Sequence, residues 1–264
     1  MCNEIKQRLR VIFKLLTLNW IVILPFASHG SYYDHMSRKE FSPHSANRPH
    51  WHREHIGEHR FPVAAVVVAV IALQSLLPNE LSLSFQTPIS IIEAGLLLFL
   101  LILGPRRIHN HHLPMRYLSL GLTGVMTLSN TASAVKLIQY LVTGNATNGT
   151  TLLLSGASIW LTNIVIFALW FWEFDRGGPG ARAQALHRYP DFLFPQMEDE
   201  HLADVHWHPN FFDYLYISFT NASAFSPTDV LPLTRWAKML MLLQSVTSLL
   251  TVGLVVARAV NILH

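Results

Sequence analysis

DYLYISFTNASAFSPTDVLPLTRWAK, residues 213–238, joins two stretches of opposite character. The first part mixes aromatic groups with hydroxyls and is too short to cross a bilayer, which takes about 20 apolar residues. The second opens at Pro232 an apolar run that continues to Leu263, long enough to cross with residues to spare. Between them lies the polar turn Ala224-Phe225-Ser226-Pro227-Thr228-Asp229. Pro209-Asn210 can start a short helix with Asn210 as its N-cap, running to Ala222 or Ser223. A short amphipathic helix, a polar turn and a Pro-started spanning helix have the layout of a re-entrant loop. Non-helical backbone at membrane depth is tolerated only where protein or a water-filled cavity covers it. The turn therefore belongs in a vestibule between helices.

The rest of the 264-residue chain agrees with a membrane setting: 51% of residues are hydrophobic and only 13% are charged, against roughly a quarter charged in soluble domains. The fold expected is all-α and polytopic. One cysteine, Cys2, excludes an internal disulfide. The net charge of +3 resides in basic loops, and the absence of a Lys/Arg stripe with interleaved aromatics excludes nucleic acid as a partner.

Residues 1–60 form an N-terminal segment. Its apolar stretch 11–27 follows Lys6, Arg8 and Arg10 and reads as a signal peptide, an added sixth span or an interfacial helix with snorkelling Lys14. Residues 28–60 carry seven histidines and no helical periodicity, the pattern of a mobile polar tail. Three spans make up residues 61–143: 61–77, started by Pro62 and stopped by Pro78; 88–104, stopped by Gly104-Pro105; and about 115–143. Residues 151–264 form the last unit. It comprises a span 151–172, an extramembrane loop 173–209, the re-entrant helix and turn 210–229 and a fifth span 233–263. With five spans, Arg38, Lys39, Arg48, Arg53, Arg60, Arg106, Arg107, Arg116, Arg176, Arg182 and Arg188 share one side, and loops 78–87 and 144–150 carry no Lys or Arg. The positive-inside rule places the basic side in the cytoplasm.

Polar residues within spans are functional candidates because charge in hydrocarbon is costly. They are Glu93, Asn130, Lys136, Asn163 and Gln244. The plainer reading is interhelical hydrogen bonding, about 1 kcal/mol each; for Glu93 a pair with Lys136 or a protonated carboxyl is open. The weak metal candidates are His55, Glu58 and His59, which fit the H-x-x-E-H pattern of inverted zinc peptidases, and His109, His111 and His112, which come near a histidine box. Gly57 and Pro62 argue against the firm helix the first pattern needs. A solvated His-rich tail is the reading preferred, with no metal or other cofactor. Asn145-Ala-Thr and Asn148-Gly-Thr match glycosylation acceptors.

Laid without a gap against the two-helix potassium channel pore, Asp213, Leu215, Ser218, Ala222, Asp229, Pro232, Thr234 and Trp236 coincide with identical residues, as does Gly253-Leu254-Val255. This C-terminal stretch of about 50 residues resembles the pore-loop module, and the chain as a whole is similar to a family of uncharacterised bacterial multi-span membrane proteins. The resemblance implies an integral protein of the bacterial inner membrane, a homotetramer, monovalent cations as partners, and a pore mouth on the outer side, opposite to the charge rule. It implies Asp213, Tyr216 and Thr220 on the pore helix and Ser223 to Asp229 (Ser223, Ala224, Phe225, Ser226, Pro227, Thr228, Asp229) as the filter. Ser248 stands at the family's hinge glycine, with Gly253 as the alternative hinge.

The filter departs from the family's Thr-Val-Gly-Tyr-Gly-Asp. Ser226 and Thr228 stand where glycines reach backbone angles that other L-residues adopt only at about 1–2 kcal/mol. Pro227 locks φ and removes an N–H. The expectation is a cation channel of low potassium selectivity, its constriction lined by hydroxyls and a ring of Asp229, and not an enzyme. The alternatives are a non-conducting structural or sensory protein that keeps the frame, and a His-box membrane metalloenzyme.

Overall fold

The computed structural model describes residues 49–78, 86–104, 107–109, 113–143, 149–199, 204, 206–223 and 229–263. The segment 11–27, most of the His-rich tail, His111, His112, Asn145, Asn148 and the filter-like residues Ala224 to Thr228 lie outside the described residues. The fold is mostly helical. In chain order, four two-residue strands and five long helices are interleaved with shorter helical pieces among the described residues: β1 (Glu58–His59), α1 (Phe61–Ser75), α2 (Gln86–Leu103), β2 (Arg107–Ile108), α3 (Leu113–Val142), α4 (Gly149–Phe174), α5 (Pro179–Ala183), β3 (Phe192–Leu193), α6 (Pro195–Glu198), α7 (Phe211–Ser223), β4 (Leu231–Pro232) and α8 (Arg235–Leu263).

Local chemistry sets the ends of these helices. Pro62 sits in the first turn of α1, where a missing N–H loses no bond. At Gly104, which stops α2, a Cβ would lie 2.4 Å from Leu100 O and 2.5 Å from Arg60 Nη1, so only glycine fits. After α4 the chain turns through Arg176, Gly177 and Gly178, all at positive φ (49°, 79° and 94°), and Pro179 starts α5.

The central element is α4. One face packs on α1 and α3, the other on α7 and α8. Its aromatic end (Phe167, Trp170, Phe171, Trp172) forms the heart of a core shared with Val67 and Val70 of α1, Met126 of α3, Tyr214 and Ile217 of α7 and Leu240 of α8. Lower down, Gly156 lets α8 approach so closely that a Cβ there would meet Val255 Cγ2 at 2.7 Å.

Two helices are long and apolar enough to cross a membrane, Gly149–Gly177 and Arg235–Val260. Of the other expected spans, Phe61–Ser75 and Thr87–Leu103 are shorter apolar helices. The third, α3, has 30 residues but mixes Arg116, Asn130, Lys136 and Gln139 with its apolar groups.

One boundary needs correction. Residues 49–60 do not belong to a loose tail. They form a docked segment in which His50, His52 and Glu58 are buried and β1 pairs with β2 in the register Glu58↔Ile108, His59↔Arg107.

Candidate functional site

The platform at the C-terminal end of α4 is built from charges. Strand alternation turns Glu58 inward and His59 outward. The helix required by the H-x-x-E-H pattern is therefore absent, and the Glu58 carboxylate is already engaged. Its Oε1 lies 2.9 Å from Arg182 Nη2, and its Oε2 accepts the Trp172 indole N–H at 2.8 Å and the Phe211 backbone N–H at 3.1 Å. His55 stacks on His208 with ring centroids 3.8 Å apart. Burial first, then the neighbouring His208, lowers its pKa to about 3. Among the described residues no three His, Cys, Asp or Glu side chains are arranged to hold a metal ion.

A second acid organises the loop after α4. The fully buried Asp175 accepts the Tyr214 hydroxyl at 2.5 Å through Oδ2 and the Asp191 backbone N–H at 3.0 Å through Oδ1. Asp191 in turn accepts the Arg176 backbone N–H at 2.8 Å and the Trp236 indole N–H at 2.9 Å. Arg182 donates to the carbonyls of Trp172 (2.6 Å) and Asp175 (3.0 Å) and lies 4.9 Å from the Tyr214 ring centroid. Buried carboxylates need such partners because an unpaired charge away from water is costly. Burial, reinforced by Asp175, raises the Asp191 pKa to about 6, against the pull of its hydrogen bonds.

This platform holds both the start of α7 and the strand β4 that follows it. The 13-residue α7 begins on it: Asn210 Oδ1 accepts the Phe212 N–H at 2.9 Å while Asp213 Oδ2 accepts the Asn210 N–H at 2.7 Å, a reciprocal cap. Further along the chain β4 pairs with β3 (Phe192↔Pro232, Leu193↔Leu231), and Leu233 N–H donates to Asp191 O at 2.8 Å. In between, α7 descends between α4 and α8 along a polar seam. Ser218 Oγ donates to Ile164 O (2.6 Å). The Gln244 amide donates to Ser218 O (2.8 Å) and Oγ (2.6 Å). Asn221 donates to Met241 O (2.9 Å) and Gln244 Oε1 (2.8 Å), and Ser245 donates to Asn221 Oδ1 (3.0 Å).

The expected site residues fall into distinct settings. Asp213 serves the cap of α7. Tyr216 is exposed, and Thr220 and Ser223 donate their hydroxyls to carbonyls one turn back on their own helix. Asp229 is exposed, and the indole N–H of the nearby-in-sequence Trp236 is engaged by Asp191. Ser248 is a buried clamp that accepts from Asn163 Nδ2 at 3.2 Å, while a Cβ at Gly253 would meet nothing within 4 Å. Glu93 is fully buried and neither carboxylate oxygen has a hydrogen-bond partner, so the pair with Lys136 is not formed. Asn130 is buried on α3.

Sequence reasoning missed Asp175, Asp191 and Arg182. Acids and an arginine in a Gly- and Pro-rich loop read as solvated. The available signal was their interleaving with aromatics in Trp172-Glu173-Phe174-Asp175 and Pro190-Asp191-Phe192-Leu193-Phe194. Compared with protein-family models, curated proteins and solved structures, the chain matches none.

Proposed function

We propose that the chain is a five-span membrane protein whose α4–α7–α8 unit is a pore module, conducting cations with low potassium selectivity as a homotetramer. The observation that carries this reading is the bracketing of α7 by the β3–β4 pair. A 13-residue helix extends about 20 Å, and the seven residues 224–230 can span about 23 Å when extended. The chain therefore goes down and returns to the layer it left, as a re-entrant loop must. Bulky apolar groups exposed on all five long helices, among them Val68, Ile91, Leu128, Leu154 and Val252, support burial in lipid.

Tetrameric closure has its own support. On α8, Met239, Leu242, Val246, Leu249, Gly253, Val256 and Val260 are all exposed and recur at alternating spacings of three and four. That is the seam on which like helices pack side by side. Asp229, exposed at the return of the loop, supplies a carboxylate ring in such an assembly.

Planar-bilayer recording of the purified protein in mixed potassium and sodium solutions tests the reading. Cation current with little preference between the two ions is expected, and Asp229→Asn should reduce it. A tetramer that passes no ions, a protein that remains monomeric by mass measurement in detergent, or strong potassium selectivity would each overturn it. A reporter fused after His264 separately decides orientation: the charge rule places this end outside the cytoplasm, the channel resemblance inside.

A further inference from the structure

Beside the network, and separate from the α7 loop, a cavity of ≈ 70 Å³ opens between α1, α2, α3 and α4. Its deep walls are apolar: Val67, Leu97 and Leu122 are buried there, and Ala64 contributes only a methyl group. Its outer end carries Arg60, Arg116 and Glu173. Leu101, which also lines it, is 39% exposed, so the cavity reaches the outer apolar face of α2.

The two arginines are held but not saturated. Arg60 Nη1 donates to Leu100 O at 3.3 Å, and Arg116 Nη2 to Glu173 O at 3.5 Å. The Nε–H of each is shut off from solvent and has no hydrogen-bond partner. Glu173 Oε1 already accepts from the Ser119 hydroxyl. Two guanidinium groups and one carboxylate leave the cavity one negative charge short. Those enclosed Nε–H groups are out of a ligand's reach. A guanidinium carries five N–H donors, however, and each of these two makes a single Nη bond, so the cavity-lining side chains keep Nη donors for a ligand's acceptors.

We infer that this cavity binds an anionic phospholipid. Its phosphodiester would sit against Arg60 and Arg116, and one acyl chain would enter between α1 and α2 past Leu101. The planar guanidinium fork matches phosphate oxygens. The apolar wall continuing to a lipid-facing residue fits a chain and gives a free phosphate nothing to bury. Basic pockets between spans on the positively charged side are where anionic headgroups concentrate, and this cavity lies at the end that carries the basic loops. The inference rests on the chain residing in a bilayer and not on conduction.

The test uses the full chain purified in detergent and offered equal amounts of phosphatidylglycerol and phosphatidylcholine, with retention read by native mass spectrometry and stabilisation by thermal melting. Phosphatidylglycerol should be retained at least about tenfold better, the size of a charge-assisted hydrogen bond, and should raise the Tm while phosphatidylcholine does not. Arg116→Gln should abolish the preference. Leu101→Trp, which fills the opening without touching either guanidinium, should do the same while melting like the unaltered protein in the absence of lipid. If Arg116→Gln fails to fold, Leu101→Trp alone decides. Equal retention of the two lipids, or a preference that survives Leu101→Trp, overturns the proposal. Stabilisation by inorganic phosphate as large as that by phosphatidylglycerol also overturns it, because the ligand would then be a free anion.

Discussion

Trp236, in the first turn of α8, donates its indole N–H to Asp191 Oδ1 at 2.9 Å across 45 positions of sequence. The same carboxylate holds the Arg176 backbone N–H at the end of α4. One side chain thus ties the end of α4 to the start of α8. Rings complete the junction: Trp236 meets Phe174 and Phe192 edge-on, with centroids 5.6 and 5.7 Å apart.

Asp191 and His55 give the platform opposing responses to pH. Asp191 has its pKa raised from 3.8 to about 6 in the folded chain, so its contribution is fully present below about pH 4 and is lost as pH rises through 6. His55 has its pKa lowered from 6.5 to about 3, so its contribution is full above pH 6.5 and is lost as pH falls toward 3. Between pH 4 and 6 the two slopes oppose. Asp191→Asn should make the melting temperature fall more steeply on acidification than in the unaltered chain, and His55→Phe should make it fall less steeply. Melting curves in detergent from pH 4 to 7 check both, and parallel curves for all three proteins would refute the assignment.

Glu58 and Arg182 form an ion pair whose side chains are 6% and 1% exposed. Removing one partner of such a pair leaves a buried charge and costs about 3–5 kcal/mol. Arg182→Met should therefore lose most of the folded population on mild heating. The double variant Glu58→Gln, Arg182→Met should recover part of the loss, because Gln keeps an acceptor for the Trp172 and Phe211 N–H groups without the charge. A double variant less stable than Arg182→Met would contradict this account.

Gln244 is fully buried and links Ser218 to Asn221 across the α7–α8 seam. Gln244→Leu leaves the Asn221 amide short of an acceptor and the Ser218 carbonyl short of a donor, a loss of about 1–3 kcal/mol for each group stranded. The expected result is looser docking of α7, read as faster hydrogen exchange over residues 211–223, with the platform's protection unchanged. Equal protection of α7 in both proteins would remove the seam as its anchor.

Gly253 has open space where a Cβ would stand. Within one chain Gly253→Ala should therefore be accepted without a clash and strengthen the helix by about 1 kcal/mol, the added methyl facing the proposed seam between copies. If α8 bends there to open a pore, single-channel recording should show a lower open probability with unchanged selectivity. Failure of the variant to assemble would instead mark the glycine as a packing site.

Residues 213–238 carry in their local order a short helix followed by the start of a long one, as α7 and α8 are, because caps, prolines and apolar run lengths act within a few residues. Asn210, Pro62 and Gly104 ended or began helices where such local signals place them. The roles of the polar side chains come instead from packing between elements far apart in the chain. Glu58 meets Arg182 across 124 positions and Tyr214 meets Asp175 across 39, and no periodicity encodes a pairing at that range. A carboxylate in a Gly- and Pro-rich loop has the same local surroundings whether it faces water or an arginine. The burial of α4 on both faces decides between them, since that packing excludes water and leaves each acid and base to satisfy the others.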